Sequence, residues 1–285
     1  AFLGGTGTWN GRVGKKEQGI YLPFVHYPVS HLSSNYLGLS NDGDVKNSEM
    51  ASKIIRKENC PVAWSVTGSP DLTGREKLEK LVAGMKLYEV VGVDLLEINE
   101  SCPNTTYGRP QDDDLANRLI YVKEHFLDER SIDGRTRPIP VVVKFSTDTE
   151  VEQVPFLLNL LFELGFDGVN FGNTSTDYGK RRRSIVPQEK KLYDYFVETF
   201  GGGVGGEALK EDSLHLCDTA VTYLRNGPPS QEFHVIRTGG ISTAMDIKDS
   251  ESVGVELNQW FTGYWERFER DGHNLYIELY KEYME

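Results

Sequence analysis

The stretch VDLLEINESCPN, Val93–Asn104, decides how the chain is read. Its first half is a short apolar run. Its second half turns at once to small polar residues around a thiol. A run of this length bounded by turn-forming residues fits a strand buried on both faces, as in a parallel sheet covered by helices. The polar tail then lies just past the strand's C-terminal end.

Six further runs read the same way: AFLGG (Ala1–Gly5), CPVAWSV (Cys60–Val66), IPVVVKF (Ile139–Phe145), FDGVNFG (Phe166–Gly172), FHVIRTG (Phe233–Gly239) and VGVELNQW (Val253–Trp260). Amphipathic segments lie between most of them. Thr73 and Glu76 have capping-box spacing ahead of Leu78, Leu81, Val82 and Met85, and Thr149 and Glu152 repeat the pattern before PFLLNLLFEL. Gly165 is placed to end that second helix, and Asp212–Leu224 predicts another. Strands alternating with helices imply parallel strands joined by crossovers, in a (β/α) barrel lacking one unit or in a doubly wound sheet. The tails NESCPN, KFSTD, GNTST, TGGIS and WFTG favour the barrel, whose sites gather at that end.

With 285 residues and no repeat or linker (NGPP, Asn226–Pro229, reads as a turn), residues 1–285 are expected to form one domain. The net charge of −12 argues against nucleic-acid partners. The basic run KRRR, Lys180–Arg183, reads as a solvated loop or an anion contact. Cys60, Cys102 and Cys217 are far apart and form no CxxC, and the histidines lack metal-ligand spacing. No metal site is expected, and a reducing compartment such as the cytoplasm fits. No run of 18 apolar residues and no signal peptide is present.

Cys102, flanked by Asn99, Ser101, Pro103 and Asn104, has two readings. One is a small buried hydrophobe. The other is a general base on a strand-end loop, with amide side chains suited to a planar ligand. Lys144 either snorkels outward or sets a fixed charge beside a developing anion. GGGVGGEAL, Gly201–Leu209, reads as a flexible loop or a ligand contact. The glycines of TGGIS and FTG, after the last two strands, suit a phosphate site.

SSNYLGLSN (Ser33–Asn41), EINESCPNT (Glu97–Thr105), VVVKFSTD (Val141–Asp148), FGNTST (Phe171–Thr176), GGVGGEAL (Gly202–Leu209), GGIS (Gly239–Ser242) and QWFTG (Gln259–Gly263) come in the order and approximate spacing of dihydroorotate dehydrogenases. The resemblance runs from about Ala1 to about Trp265. It implies an FMN-dependent (β/α)8 TIM barrel that oxidises dihydroorotate to orotate in pyrimidine biosynthesis. Cys102 then matches the base that takes the C5 proton. Asn35, Leu37, Gly38, Leu39, Asn99, Asn104, Asn173 and Thr174 match positions that hold the pyrimidine. Lys144 matches the lysine at the flavin N1 edge. Thr6, Ser65, Asn99 and Gly172 fall at flavin-contacting positions. Gly206, Gly239, Gly240, Phe261, Thr262 and Gly263 fall at or beside those around the ribityl chain and phosphate.

This sequence departs from the pattern in places. The family's first strand–helix unit has no counterpart here, so the chain is expected to be an N-terminally incomplete barrel. Ser65 stands where Asn is usual, and Gly172 where Thr is common. A Cys base is typical of the soluble enzymes, whereas GGTGT (Gly4–Thr8), PNT (Pro103–Thr105) and GGVGGEAL resemble the membrane-bound group. The electron acceptor, quinone or fumarate, is left open. So is membrane or mitochondrial attachment through a segment outside this chain. Rival readings are a dihydropyrimidine dehydrogenase-like or dihydrouridine synthase-like flavoenzyme, and a non-catalytic binding protein on a degenerate barrel.

Overall fold

The computed structural model describes residues 1–15, 19, 23–55, 60–100, 114–132, 137–227 and 231–285. The strands are β1 (Phe2–Gly7), β2 (Phe24–Tyr27), β3 (Leu32–Asn35), β4 (Val62–Val66), β5 (Leu95–Asn99), β6 (Val141–Phe145), β7 (Gly168–Phe171), β8 (Gly203–Gly206), β9 (His234–Thr238) and β10 (Leu257–Gln259). The helices are α1 (Asp44–Ser52), α2 (Gly74–Val90), α3 (Leu115–His125), α4 (Val154–Leu164), α5 (Tyr178–Arg182), α6 (Lys190–Phe200), α7 (Lys210–Asn226), α8 (Ala244–Val253), α9 (Thr262–Asp271) and α10 (Leu275–Met284).

The seven strands expected from the sequence form one sheet in the order β1-β4-β5-β6-β7-β9-β10. The ladders β1–β4, β4–β5, β5–β6 and β9–β10 are parallel. This is the α/β, TIM-barrel type of architecture that the alternation predicts. The three other strands, β2, β3 and β8, make a small antiparallel sheet in the order β2-β3-β8. The sequence reading missed it. GGGVGGEAL is therefore a strand with flanks rather than a flexible loop.

The chain divides into two compact units. The first holds Ala1–Tyr21, Leu37–Lys144 and Asn159–Gly168. Here Trp64 and Tyr88 stack at 5.3 Å, which fixes the face of β4 that α2 covers. Leu96 and Ile98, fully buried, alternate along β5 with Glu97 and Asn99, which therefore point to the opposite face. The parallel register sets Glu97 beside Ser65 and Val142, and Asn99 beside Lys144. Ser65, Glu97, Asn99 and Lys144 thus share the face away from α2.

The second unit holds Leu22–Tyr36, Phe145–Leu158 and Val169–Glu285. Tyr27, Leu32, Val204, Ile185 and Tyr193 form a buried cluster that seats the small sheet on α6. Glu189 accepts hydrogen bonds from the Val29 and Ser30 amides, both at 3.0 Å, and so closes the β2–β3 turn.

Some local readings need correction. Thr73 is the N-cap of α2, but its side chain makes no capping bond. The Thr149 hydroxyl donates back to the Ser146 carbonyl at 2.7 Å, and a 3-10 turn at Val151–Gln153 precedes α4. KRRR is solvated at Lys180, Arg182 and Arg183, but it is not a loop. Lys180–Arg182 belong to α5, and Arg181 is buried among carboxylates. The reading of NGPP as a turn is not among these corrections: Asn226 ends α7, and residues 228–230 lie outside the described residues.

Candidate active site

In the first unit, four residues singled out in the sequence come together at the C-terminal ends of adjacent strands. The Thr6 and Ser65 hydroxyls are 3.1 Å apart. The Asn99 amide donates to Thr6 Oγ1 at 3.0 Å. Thr67 donates to the Asn99 carbonyl at 2.9 Å and anchors the strand end. Lys144 does not snorkel outward: its side chain is 11% exposed, and its ammonium lies 3.4 Å from Glu97 Oε1. Glu97 was not singled out in the sequence. The available signal was a carboxylate inside an otherwise apolar strand run.

Leu37, Gly38 and Leu39 form a loop pinned by Asn41. The Asn41 amide donates to the Leu39 carbonyl and to Thr8 Oγ1, both at 2.8 Å, and its oxygen accepts from the Gly43 amide at 2.9 Å. Arg12 donates to the Gly38 carbonyl at 3.3 Å. Leu39 has φ of 59°, a left-handed conformation that costs a leucine about 1 kcal/mol or more, and the Asn41 bonds hold it there. Cys102 and Asn104 lie outside the described residues, as do residues 101–113 as a whole.

In the second unit, the tail of β6 fixes the tail of β7. Thr147 donates to the Asn173 carbonyl at 2.5 Å, and the Asn173 side chain accepts from the Thr174 amide at 2.8 Å. Asp148 accepts from Ser175 Oγ at 2.5 Å and from the Thr176 amide at 2.6 Å. Arg181 donates to Ser175 Oγ at 2.9 Å and to the Ala208 carbonyl at 2.7 Å, and pairs with Asp212 at 2.6 Å. Burial alone would raise the Asp212 carboxyl, but the bonds from Lys180 and Arg181 hold it below the usual range. Asn35 Nδ2 reaches the Gly203 carbonyl at 3.5 Å. Gly172 has φ of 129°, and a Cβ there would fall 1.6 Å from the Thr238 carbonyl oxygen. No side chain fits, which accounts for glycine at this position.

The glycines near the chain's end gather around α9. A Cβ on Gly263 would lie 2.3 Å from the Ile241 carbonyl oxygen, so the start of α9 packs directly on the loop that carries Gly239 and Gly240. Ser33 Oγ is 2.8 Å from Thr262 Oγ1, and a Cβ on Gly205 would meet Thr262, Thr174 and Ser33 at 3.5 to 3.7 Å. Gly206, with φ of 105°, follows at the end of β8. Phe261 is exposed and meets Phe24 edge-on at 6.4 Å.

The two neighbouring helix starts differ. α8 is closed by a full capping box of Thr243 and Asp246. Burial alone would raise the Asp246 carboxyl, but the Lys210 ammonium and bonds from Ser242 and Thr243 hold it low. α9 has Phe261 as its N-cap and no side-chain cap. A helix leaves its first amides without intrahelical acceptors, and its dipole favours an anion there. The start of α9, beside Gly239–Gly240, is thus chemically suited to a phosphate. Among the described residues, no group of three or more His, Cys, Asp or Glu is arranged to hold a metal ion.

Comparison with known proteins extends this reading. The family model for dihydroorotate dehydrogenase matches residues 11–269. A dihydroorotate dehydrogenase (quinone) of Dichelobacter nodosus is 26% identical over 233 residues, covering 80% of this chain and 63% of that protein. One of Leifsonia xyli is 31% identical over 236 residues, covering 81% and 61%. The chain thus spans less than two thirds of the length of these curated relatives. The crystal structure of DHODH from Eimeria tenella in complex with ferulenol superposes with a TM-score of 0.77 at 19% identity, covering 97% of this chain and 72% of that one. A family match over most of the chain, a shared fold and polar strand ends in the expected order agree: the chain belongs to the dihydroorotate dehydrogenase family.

Proposed function

We propose that the protein oxidises dihydroorotate to orotate with FMN as cofactor and a quinone as final acceptor. The observation that carries this reading is the grouping of Thr6, Ser65, Asn99 and Lys144 at adjacent strand ends, inside a chain whose family match covers residues 11–269. The quinone is inferred from the names of the curated relatives. The residues present fit FMN. Uncapped amides at the start of α9, with Gly239, Gly240 and Gly206 nearby, suit its phosphate and ribityl chain, and a buried lysine suits the charge of a reduced flavin.

In this reading Cys102 takes the C5 proton as a thiolate. Asn35, Asn99, Asn104, Asn173 and Thr174 offer the paired donors and acceptors that a pyrimidine edge requires, and the Leu37–Leu39 loop closes on the ring. Lys144 supplies a positive charge from within a buried setting, where it counts for more than in water. FMN, when bound, supplies the two-electron acceptor for the C6 hydride.

The experiment is an absorbance spectrum of the purified protein, without oxygen, before and after dihydroorotate is added. Bleaching of a flavin band supports cofactor and substrate together. A colourless protein that takes up no FMN overturns the proposal. A flavin that uracil turns over and dihydroorotate leaves untouched would favour the dihydropyrimidine dehydrogenase-like reading.

A further inference from the structure

We propose that Glu97 sets the effective charge of Lys144 and thereby holds down the reduction potential of the flavin. The inference rests on the FMN reading above and gives a role to Glu97, which opens the EINESCPNT stretch but has been assigned no part in the site.

Glu97 is 1% exposed and lies in a strand whose neighbours Leu96 and Ile98 are fully buried. A carboxylate taken out of water is costly unless a cation and hydrogen bonds compensate it. Packing therefore does not explain the residue. Its cation is Lys144, 3.4 Å away. The register puts Glu97 one inward-facing step behind Asn99, with Ser65 on one side and Val142 on the other, and it puts Lys144 beside Asn99. Glu97 thus reaches the lysine from behind the strand ends, on the face that carries the other candidate flavin contacts.

Two electrons and one proton convert the oxidised flavin to a reduced form with one negative charge on its ring. An isolated ammonium beside that ring would stabilise the reduced form. The Lys144–Glu97 pair has no net charge, so the carboxylate cancels much of that stabilisation. Glu97 acts through Lys144 and is a positioning residue, with no assigned contact to substrate.

The test is a reductive titration of the holoprotein against a reference dye. Glu97→Gln should raise the potential so that, at fixed potential, the ratio of reduced to oxidised flavin increases tenfold or more, about 30 mV for a two-electron couple. Glu97→Asp, which keeps the charge, should stay near wild type. In a Lys144→Gln background, Glu97→Gln should add little further shift, because the group it acts through is gone. A Glu97→Gln holoprotein at the wild-type potential overturns the inference. So does an equal shift in the Lys144→Gln background. If Glu97→Gln does not fold with FMN, Glu97→Asp decides: the wild-type potential supports the inference, and a rise of 30 mV or more overturns it. Failure of the underlying reading is seen separately, as wild-type protein that binds no FMN.

Discussion

At the scale of single residues, Cys102 carries the clearest expectation. A thiol with an ordinary pKa near 8.5 is only a few per cent thiolate at pH 7, so its rate as a base should rise with pH until it is ionised. Cys102→Ala should keep FMN and bind orotate, yet reduce its flavin with dihydroorotate orders of magnitude more slowly. Cys102→Ser should retain some rate and require higher pH, because a hydroxyl is a far weaker acid. Anaerobic stopped-flow reduction across pH measures both. Near-normal reduction by the alanine variant would return Cys102 to the role of a plain thiol. Asp44 carries a second expectation. It is 1% exposed, and burial pushes its carboxyl from an ordinary 3.8 to about 6 against the opposing hydrogen bond from Tyr88. A folded-state value above the unfolded one means stability present in full below pH 3.8 and lost as pH rises through about 6. At about 1.4 kcal/mol per pH unit, the loss is about 3 kcal/mol. Asp44→Asn should flatten this part of the profile, so that its melting temperature falls less than the wild type's between pH 4.5 and pH 7.5. Parallel slopes in thermal unfolding would mean that Asp44 is not the group responsible.

At the scale of elements, the seven strands of the parallel sheet were legible because they lie in short apolar runs that alternate with helical segments, and β4, β5, β6, β7 and β9 are largely buried. β2, β3 and β8 were not: LSSN and GVGG are too polar or too glycine-rich to show a periodic signal, and they exist through tertiary contacts with Tyr193 and Ile185. A different set of tertiary contacts explains KRRR. Its sequence shows only charge, but Arg181 is drawn inward by Asp148, Asp212, Ser175 Oγ and the Ala208 carbonyl. It thereby ties the tail of β6, the tail of β7 and the segment after β8 into one network, and this network holds the loop of Asn173 and Thr174. Removing one member of a buried ion pair leaves an uncompensated charge, which costs about 3–5 kcal/mol. Arg181→Met should lose stability of that order in denaturant titration. Asp148→Asn should cost less on top of Arg181→Met than on its own, because the two residues share partners. Additive losses would show that Arg181 and Asp148 act separately.

At the scale of the whole molecule, the net charge of −12 gives no long-range attraction for a phosphate ester. Phosphate binding must then come from local donors, and the uncapped start of α9 beside Gly239–Gly240 supplies them. Composition could exclude nucleic acid, but it could not reveal this site. The glycines of TGGIS and FTG pointed to it in the sequence, and the strand order, which puts β10 next to β9, brings Gly239–Gly240 and Gly263 together. A ligand that binds only the folded state stabilises it by RT ln(1 + [L]/Kd), about 2.7 kcal/mol at a hundredfold excess over Kd. For a chain of 285 residues, that corresponds to a rise in melting temperature of about 4–5 °C. FMN added to apoprotein should produce such a rise, whereas riboflavin, which lacks the phosphate, should produce a much smaller one at the same concentration. Gly263→Ala should erode the difference between the two ligands, since its methyl would press on the Ile241 carbonyl and shift the start of α9. Equal melting shifts for FMN and riboflavin in the wild-type protein would mean that the phosphate contributes no binding energy, and the start of α9 would then lose its assignment.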